Sequence, residues 1–153
     1  MRTMDIYEVL NGESRTLEKL TRKLVDSTSA EPQTRERLLH EIVARFDSQQ
    51  VIREEFVYPE LRLSAGREDL VDECDGRVFS IRGRIEILQG LFMDSTSGFQ
   101  ISAEMLDQEI ESLTNWEIHQ TIPVMQDTLS AEEAATFGER AQAMQDQYMA
   151  QQL

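Results

Sequence analysis

Apolar residues recur along this chain in steps of three and four, the spacing that gathers them on one face of an α-helix. In the first segment Ile6, Leu10, Leu17, Leu20, Thr21 and Leu24 share such a stripe, with Asp5 placed to cap it and Ser14 as a polar member. A second stripe follows Pro32, a residue suited to a first helical turn; it carries Leu39, Ile42, Val43, Phe46 and Phe56 and is interrupted by Gln49 and Arg53. Beyond Ser64-Ala65-Gly66 the third is the most regular. Val71, Cys74, Val78, Ile81, Ile85, Leu88 and Phe92 form a heptad seam. After the loop DSTSG, a fourth stripe from about Ser102 turns Leu106, Ile110, Leu113 and Val124 inward, with Glu117 as its polar exception. Ser130-x-x-Glu133 is a capping box that opens a last helix, which fades into a Gln-rich end expected to fray. The pattern predicts helices over about 5–27, 33–63, 68–93, 102–127 and 130–148. Short connections between long helices make this a single all-α domain, an up-and-down antiparallel four-helix bundle with a short additional C-terminal helix.

Proline inside a helix costs roughly 3 kcal/mol, so Pro59 and Pro123 are expected to kink their helices or end the straight portions. They also disclose a repeat. A shift of 64 positions carries Pro59 to Pro123, Arg53 to Glu117, Gln49 to Leu113 and Ile42 to Leu106. It also carries Ser14 to Val78, Leu17 to Ile81 and Leu24 to Leu88, so the halves read as matching helical hairpins whose equivalent positions converge in the core.

Several segments, in order, resemble the hemerythrin-like, HHE cation-binding family. Asp5-Ile6-Tyr7-Glu8-Val9-Leu10 opens the first helix, Glu54-Glu55-Phe56-Val57-Tyr58-Pro59 lies on the second and Leu70-Val71-Asp72-Glu73 on the third. Ile122-Pro123, Leu129-Ser130-Ala131-Glu132-Glu133 and Phe137-Gly138-Glu139-Arg140 complete the resemblance, which covers most of the chain. It implies a four-helix bundle whose usual members hold two non-haem irons through histidines and two carboxylates, for dioxygen binding, sensing or iron handling. Carried over residue by residue, that ligand pattern fails here. The first-helix histidine falls at Ser14, the His-x-x-x-Glu pair at Gln49 and Arg53, the third-helix histidine near Val78 and the fourth-helix histidine at Leu113; the carboxylate survives only as Glu117. The two histidines, His40 and His119, are elsewhere, His119 lying roughly 200° round the helix from Glu117. The resemblance therefore implies vestigial site positions and no di-iron cofactor.

Arg53 places a fixed positive charge where a bridging carboxylate would meet the metals. An unpaired buried charge costs several kcal/mol, so an interior Arg53–Glu117 ion pair is expected, with Gln49 and Ser14 adding hydrogen bonds. The alternative has Arg53 snorkelling to the bundle's edge and Glu117 facing water.

Composition narrows the function. Lys plus Arg number 15 against 29 Asp plus Glu, a net charge of −14, which disfavours nucleic acid and anionic lipid. No stretch approaches the ~20 apolar residues of a membrane span, the N-terminus lacks a signal-like apolar run, and one cysteine excludes an intrachain disulfide. A cytoplasmic setting is expected. There is no nucleotide loop, zinc-ligand spacing, Ser/His/Asp set or basic aromatic platform, so no catalytic residue is assigned. Cys74, on the seam, reads as a core packer rather than a redox sensor. The Glu54-Glu55 pair reads as a solvated flank, and Met105, Met125, Met144, Met149, Trp116 and Phe99 as packing or tail residues.

One outer face is unusual. Gly76, Gly83 and Gly90 share heptad position f of the third helix, with Phe79 and Ile87 beside them. Helical glycine costs up to ~1 kcal/mol relative to alanine, so this face is an expected interface, either for a second copy of the chain or for the last helix folding back through Phe137 and Met144. Three tolerated, unrelated glycines are the alternative. The reading is thus a non-catalytic bundle that acts through contacts with a protein partner, including homodimerisation through the third helix. Two alternatives stand beside it: a metal or oxygen site rearranged around Glu117 with Glu13, Glu54 or Glu109, and a small ligand in the vacated cavity.

Overall fold

The first helix starts where its own side chains satisfy its first backbone groups. The Asp5 carboxylate accepts the Glu8 N–H at 2.9 Å and the Glu8 carboxylate accepts the Asp5 N–H at 3.3 Å. From there α1 runs over Ile6–Asp26 and buries Ile6, Val9, Leu10, Leu17, Leu20 and Leu24. The computed structural model describes residues 3–152 of the chain. Helix α2 spans Pro32–Ile52, α3 Glu68–Gln89, α4 Ser97–His119, α5 Thr121–Thr128 and α6 Ala131–Gln152. All described elements are helical.

The two prolines are accommodated differently. Past Ile52 the α2 axis continues in π-helical turns, Arg53–Val57 and Glu60–Ser64, on either side of Tyr58-Pro59. Proline cannot donate to the carbonyl four residues back and its ring crowds that carbonyl; a wider turn relieves both. Gly66, with φ of 63°, then reverses the chain into α3. Pro123 lies in the first turn of α5, where a missing N–H removes no helical bond, and Gln120 marks the break from α4. Several helix boundaries differ from the sequence reading, among them those of the third and fourth helices. The fourth helix begins at Ser97 rather than near Ser102, because Ser97 and Gly98 of the expected loop are helical, and the third ends at Gln89, capped by Gly90, rather than near residue 93.

Helix α1 packs against α2, α4 and α6, while α3 packs against α4. The last helix is longer than expected: it runs through the Gln-rich end to Gln152, with Met149 buried. It lies across α1 and α2, where Phe137 meets Phe56 with ring centroids 5.4 Å apart. Hence it does not fold back over the third-helix glycines. Its docking depends on small residues. Ala134, Gly138 and Ala141 are buried, and a Cβ at Gly138 would lie 2.6 Å from Asp5 Cα and closer still to the Met4 carbonyl oxygen.

A buried arginine ties two loops together at the start of α2. Arg35, 1% exposed, donates through Nε to Ser27 Oγ at 3.1 Å and through Nη2 to the Ser27 carbonyl at 3.2 Å. Its Nη1 donates to the carbonyls of Met93 at 3.0 Å and Ser95 at 2.7 Å, and the guanidinium lies 4.0 Å from the Phe99 ring centre.

The glycines yield a paired prediction. Gly138→Ala forces α6 off the Met4–Asp5 backbone and should destabilise the protein by about 2 kcal/mol. Gly12→Ala, where an added Cβ meets nothing within 4 Å, should be neutral or stabilising by up to ~1 kcal/mol. Urea denaturation of both variants checks the pair.

Candidate functional site

At the end of α2 the chain sends a cation into the core. Arg53 opens the first π-helical turn and is 1% exposed, so it does not snorkel to the bundle's edge. Its Nη2 donates to Glu117 Oε1 at 2.8 Å and its Nε to Glu117 Oε2 at 3.1 Å. This is the two-pronged guanidinium–carboxylate geometry, which fixes orientation as well as charge. The remaining edge of the guanidinium is used too: Nη1 donates to Gln50 Oε1 at 3.2 Å, and Gln50 Nε2 donates to Tyr58 Oη at 3.3 Å. Burial opposes the charge on Arg53, but the charge of Glu117 and the hydrogen bond to it outweigh burial, so the arginine's pKa is raised.

Cys74 of α3 lies beside this network. Burial pushes its thiol up to about 11; the Arg53 charge pulls against that rise and the Glu117 charge adds to it. Tyr58 is also shifted up, by burial first and by Cys74 next. The thiol is therefore protonated at neutral pH and 1% exposed, which makes Cys74 a packed residue and an unreactive one.

The six positions onto which the resemblance carries metal ligands are all buried: Ser14, Gln49, Arg53, Val78, Leu113 and Glu117. The structure joins four of them in two pairs. Arg53 binds Glu117, and Gln49 Nε2 donates to Ser14 Oγ at 3.2 Å. Val78 and Leu113 complete the apolar core. Sequence reasoning missed Gln50 and Tyr58, although Gln50 stands one turn before Arg53 on the same helix, a spacing that brings side chains together.

The residues do not fit a di-iron centre. Among the described residues no three His, Cys, Asp or Glu side chains come together in a way that could hold a metal ion. Glu117 is committed to a guanidinium, and His40 and His119 are exposed. The carboxylates considered for a rearranged site are dispersed. Glu109 accepts from Ser80 at 2.9 Å and pairs with Arg84 at 3.5 Å, while Glu54 is exposed. Glu13 is buried on another face of α1. Its Oε1 accepts from Gln145 of α6 and lies 3.5 Å from Arg45 Nη1, and its Oε2 has no hydrogen-bond partner among the described residues. Burial raises the Glu13 pKa, Arg45 opposes the rise and Asp146 adds to it.

A cleft of about 460 Å³ opens between α1 and the α4–α5 corner. Ser14, Gln49 and Glu117 line it, so it reaches the Arg53–Glu117 pair from outside. Away from this centre, the α3 outer face is bare: a Cβ at Gly76 or Gly83 meets nothing within 4 Å, and Phe79 is 80% and Ile87 50% exposed. Gly90 differs, since it caps α3 and a Cβ there would touch only the helix's own carbonyls.

The fold is that of known proteins. The chain is similar to the crystal structure of a hemerythrin HHE cation binding domain-containing protein from Mycobacterium kansasii, with a TM-score of 0.84 and 20% identity over 97% of this chain and 89% of that one. No family model matches the sequence, and no curated protein matches it. At that identity the likeness establishes the hemerythrin-like bundle as the fold. No described helix is long and apolar enough to cross a membrane.

Arg53→Ala should destabilise the protein by about 3 kcal/mol, because it strands a carboxylate in the core; the value sits at the low end of buried-pair losses because Glu117 borders the cleft. Gln49→Ala should cost less, about 1 kcal/mol for a neutral hydrogen bond. Equal melting temperatures for the two variants would contradict the pair's importance.

Glu13 yields a pH-dependent prediction. Its folded pKa lies above the unfolded one, so the folded state binds the proton more tightly, and stability contributed by this group is greatest at acid pH and is lost as pH rises through the folded value. Glu13→Gln keeps the acceptor for Gln145 and removes the buried charge. A melting temperature raised by about 2–4 °C at neutral pH, with the gain shrinking toward the ordinary glutamate range near 4.3, is expected.

Proposed function

We propose that this chain is a hemerythrin-like bundle that works without a di-iron centre, as a non-catalytic scaffold or regulatory protein acting through contacts with other proteins. The observation that carries the reading is the bidentate Arg53–Glu117 pair, which occupies with a fixed guanidinium the place where the resemblance puts metal ligands. The bare outer face of α3, with Gly76, Gly83, Phe79 and Ile87, supports contact with a second copy of the chain: small residues let helices approach closely, and an exposed phenylalanine supplies apolar area. A cytoplasmic setting belongs to the same reading, supported by a sequence with a single cysteine and so no intrachain disulfide.

A second reading, a small molecule in the cleft above the centre, is favoured by the cleft's volume of about 460 Å³, within the usual range for ligand sites.

Protein made in iron-supplemented medium should carry well under one iron per chain and show no charge-transfer band in its absorption spectrum. Stoichiometric iron with such a band overturns the reading. Sedimentation analysis of the wild type and Gly83→Leu tests the contact surface: the wild type should self-associate and the variant should be shifted to monomer with its thermal stability kept.

A further inference from the structure

We infer that a second copy of this chain docks on the outer face of α3 antiparallel to the first, about a twofold axis near Phe79, with acids and arginines of the two α3 helices pairing reciprocally. The arrangement rests on the α3 contact proposed above.

The charges of α3 are ordered along its length. Glu68, Asp69, Asp72, Glu73 and Asp75 come first, all exposed and with no Lys or Arg among them. Arg77, Arg82 and Arg84 follow, and Glu86 is the one acid beyond them. A helix dipole favours acids in the first turn and bases in the last, and its effect fades within that turn. It accounts for Glu68 and Asp69 but not for Glu73, Asp75, Arg82 or Arg84. Asp72 and Glu73 pair with no cation of their own chain among the described residues.

What the flanks of the outer face touch fixes its edges. Ser80 donates to Glu109 at 2.9 Å and Arg84 lies 3.5 Å from the same carboxylate, so one edge runs beside α4. Glu73 stands seven residues before Ser80, two helical turns away on that edge. Arg82 donates to Asp47 at 2.7 Å, so the other edge runs beside α2, and Asp75, seven residues before Arg82, shares it. Between the edges lie Gly76, Phe79 and Gly83. Phe79 is 80% exposed, and a Cβ at either glycine meets nothing within 4 Å.

A twofold axis that reverses α3 brings like edges together, and every contact then occurs twice. With the axis near Phe79, each Phe79 meets its equivalent and Gly76 meets Gly83 of the second copy. Asp75 then meets Arg82 along the α2 edge, and Glu73 meets Arg84 along the α4 edge. Arg82 and Arg84 keep their bonds to Asp47 and Glu109, because a guanidinium has five donors. Glu86 is the exception, since it approaches Asp72, one turn from the Arg82 beside it. A parallel arrangement sets each acid against its own equivalent and each arginine against its own, which is repulsive at both ends. Every copy carries a net charge of −14, so contacts that leave acids facing acids are opposed and the order of charges selects the antiparallel approach.

Sedimentation analysis of Glu73→Arg, of Arg84→Glu and of their equimolar mixture tests the arrangement. Each variant alone sets two like-charged pairs in the interface and should self-associate at least about tenfold more weakly than the wild type. The mixture restores both pairs and should associate within about threefold of the wild type. In a second measurement Ser80→Cys, beside the axis, should form an interchain disulfide on mild oxidation, whereas Glu86→Cys should not. Two copies of position 86 lie about 21 Å apart along an antiparallel pair, and a disulfide needs Cα atoms within about 7 Å. The cysteine variants carry the test if Arg84→Glu, which sets a carboxylate beside Glu109, does not fold. A mixture no better than its separate components, or a disulfide formed as readily in Glu86→Cys as in Ser80→Cys, overturns the antiparallel arrangement and leaves the α3 contact standing. A monomeric wild type overturns both, and the face then belongs to a different partner.

Discussion

A guanidinium that is 1% exposed has to be answered by the rest of the core, and in this protein it is answered from the other side of the bundle. Arg53 leaves the end of α2 and Glu117 the last turns of α4, and the two oxygens accept at 2.8 and 3.1 Å. Neither helix can slide or rotate by a residue without breaking at least one of these bonds. The pair's net contribution to stability is small, because both charges lose water; its contribution to register is larger, because a misregistered core leaves a charge unpaired at a cost of several kcal/mol. Gln50 and Tyr58 complete the arrangement, Gln50 by accepting from the remaining edge of the guanidinium and Tyr58 by accepting from Gln50. The π-helical turn that begins at Arg53 belongs to the same solution, since it carries the backbone toward Pro59 while Arg53, Phe56 and Val57 stay buried.

A second buried arginine shows how differently the same group can be used. Arg35 and Arg53 stand on one helix, about 27 Å apart at 1.5 Å per residue. Arg53 meets a carboxylate, whereas Arg35 meets three backbone carbonyls, a hydroxyl and the face of Phe99. Carbonyls of loop residues have no helical partners of their own, so a cation that gathers them closes loops rather than helices. The α1–α2 and α3–α4 connections are held against each other in this way at one end of the bundle, and α2 and α4 are held at the other.

The sequence was most legible where spacing and charge coincided. The repeat that aligns Pro59 with Pro123 sets Arg53 opposite Glu117, and two opposite charges on apolar stripes at matching depth invite a pair. The stripes also disclosed the helical class, because Leu, Ile and Val at heptad spacing admit no other element. Tyr58 was hidden because a π-helical turn shifts the phase of the residues beyond it, whereas Gln50 precedes that turn and was passed over as a polar residue beside the apolar stripe. The burial of Glu13 was hidden for a different reason: the contact expected of α6 was with the third-helix glycines, whereas Glu13 packs against α6. Its buried positions are Ala134, Gly138, Ala141 and Met149, mostly small residues that leave little hydrophobic signal although they permit the closest approach between helices. Alternation of large apolar residues finds helices that fill space, and it underrates helices that dock by having little to fill it with.

Fold and chemistry separate cleanly at this centre. The hemerythrin-like bundle needs its core to be filled and its interior charges balanced, and both conditions can be met without a metal. In the arrangement that the sequence resemblance implies, a carboxylate at the Glu117 position faces cations that must be supplied from outside. In this chain Glu117 still faces a cation, but the cation is tethered to α2, always charged, and set in place whenever the chain folds. Charge balance is thereby made a property of the polypeptide rather than of its surroundings. The cleft lined by Ser14, Gln49 and Glu117 opens on the α1 side of the pair, since Arg53 approaches Glu117 from α2 and does not line it. A filled, charge-balanced core and an open cleft beside it are thus compatible, because the balance is struck between two side chains of the same polypeptide.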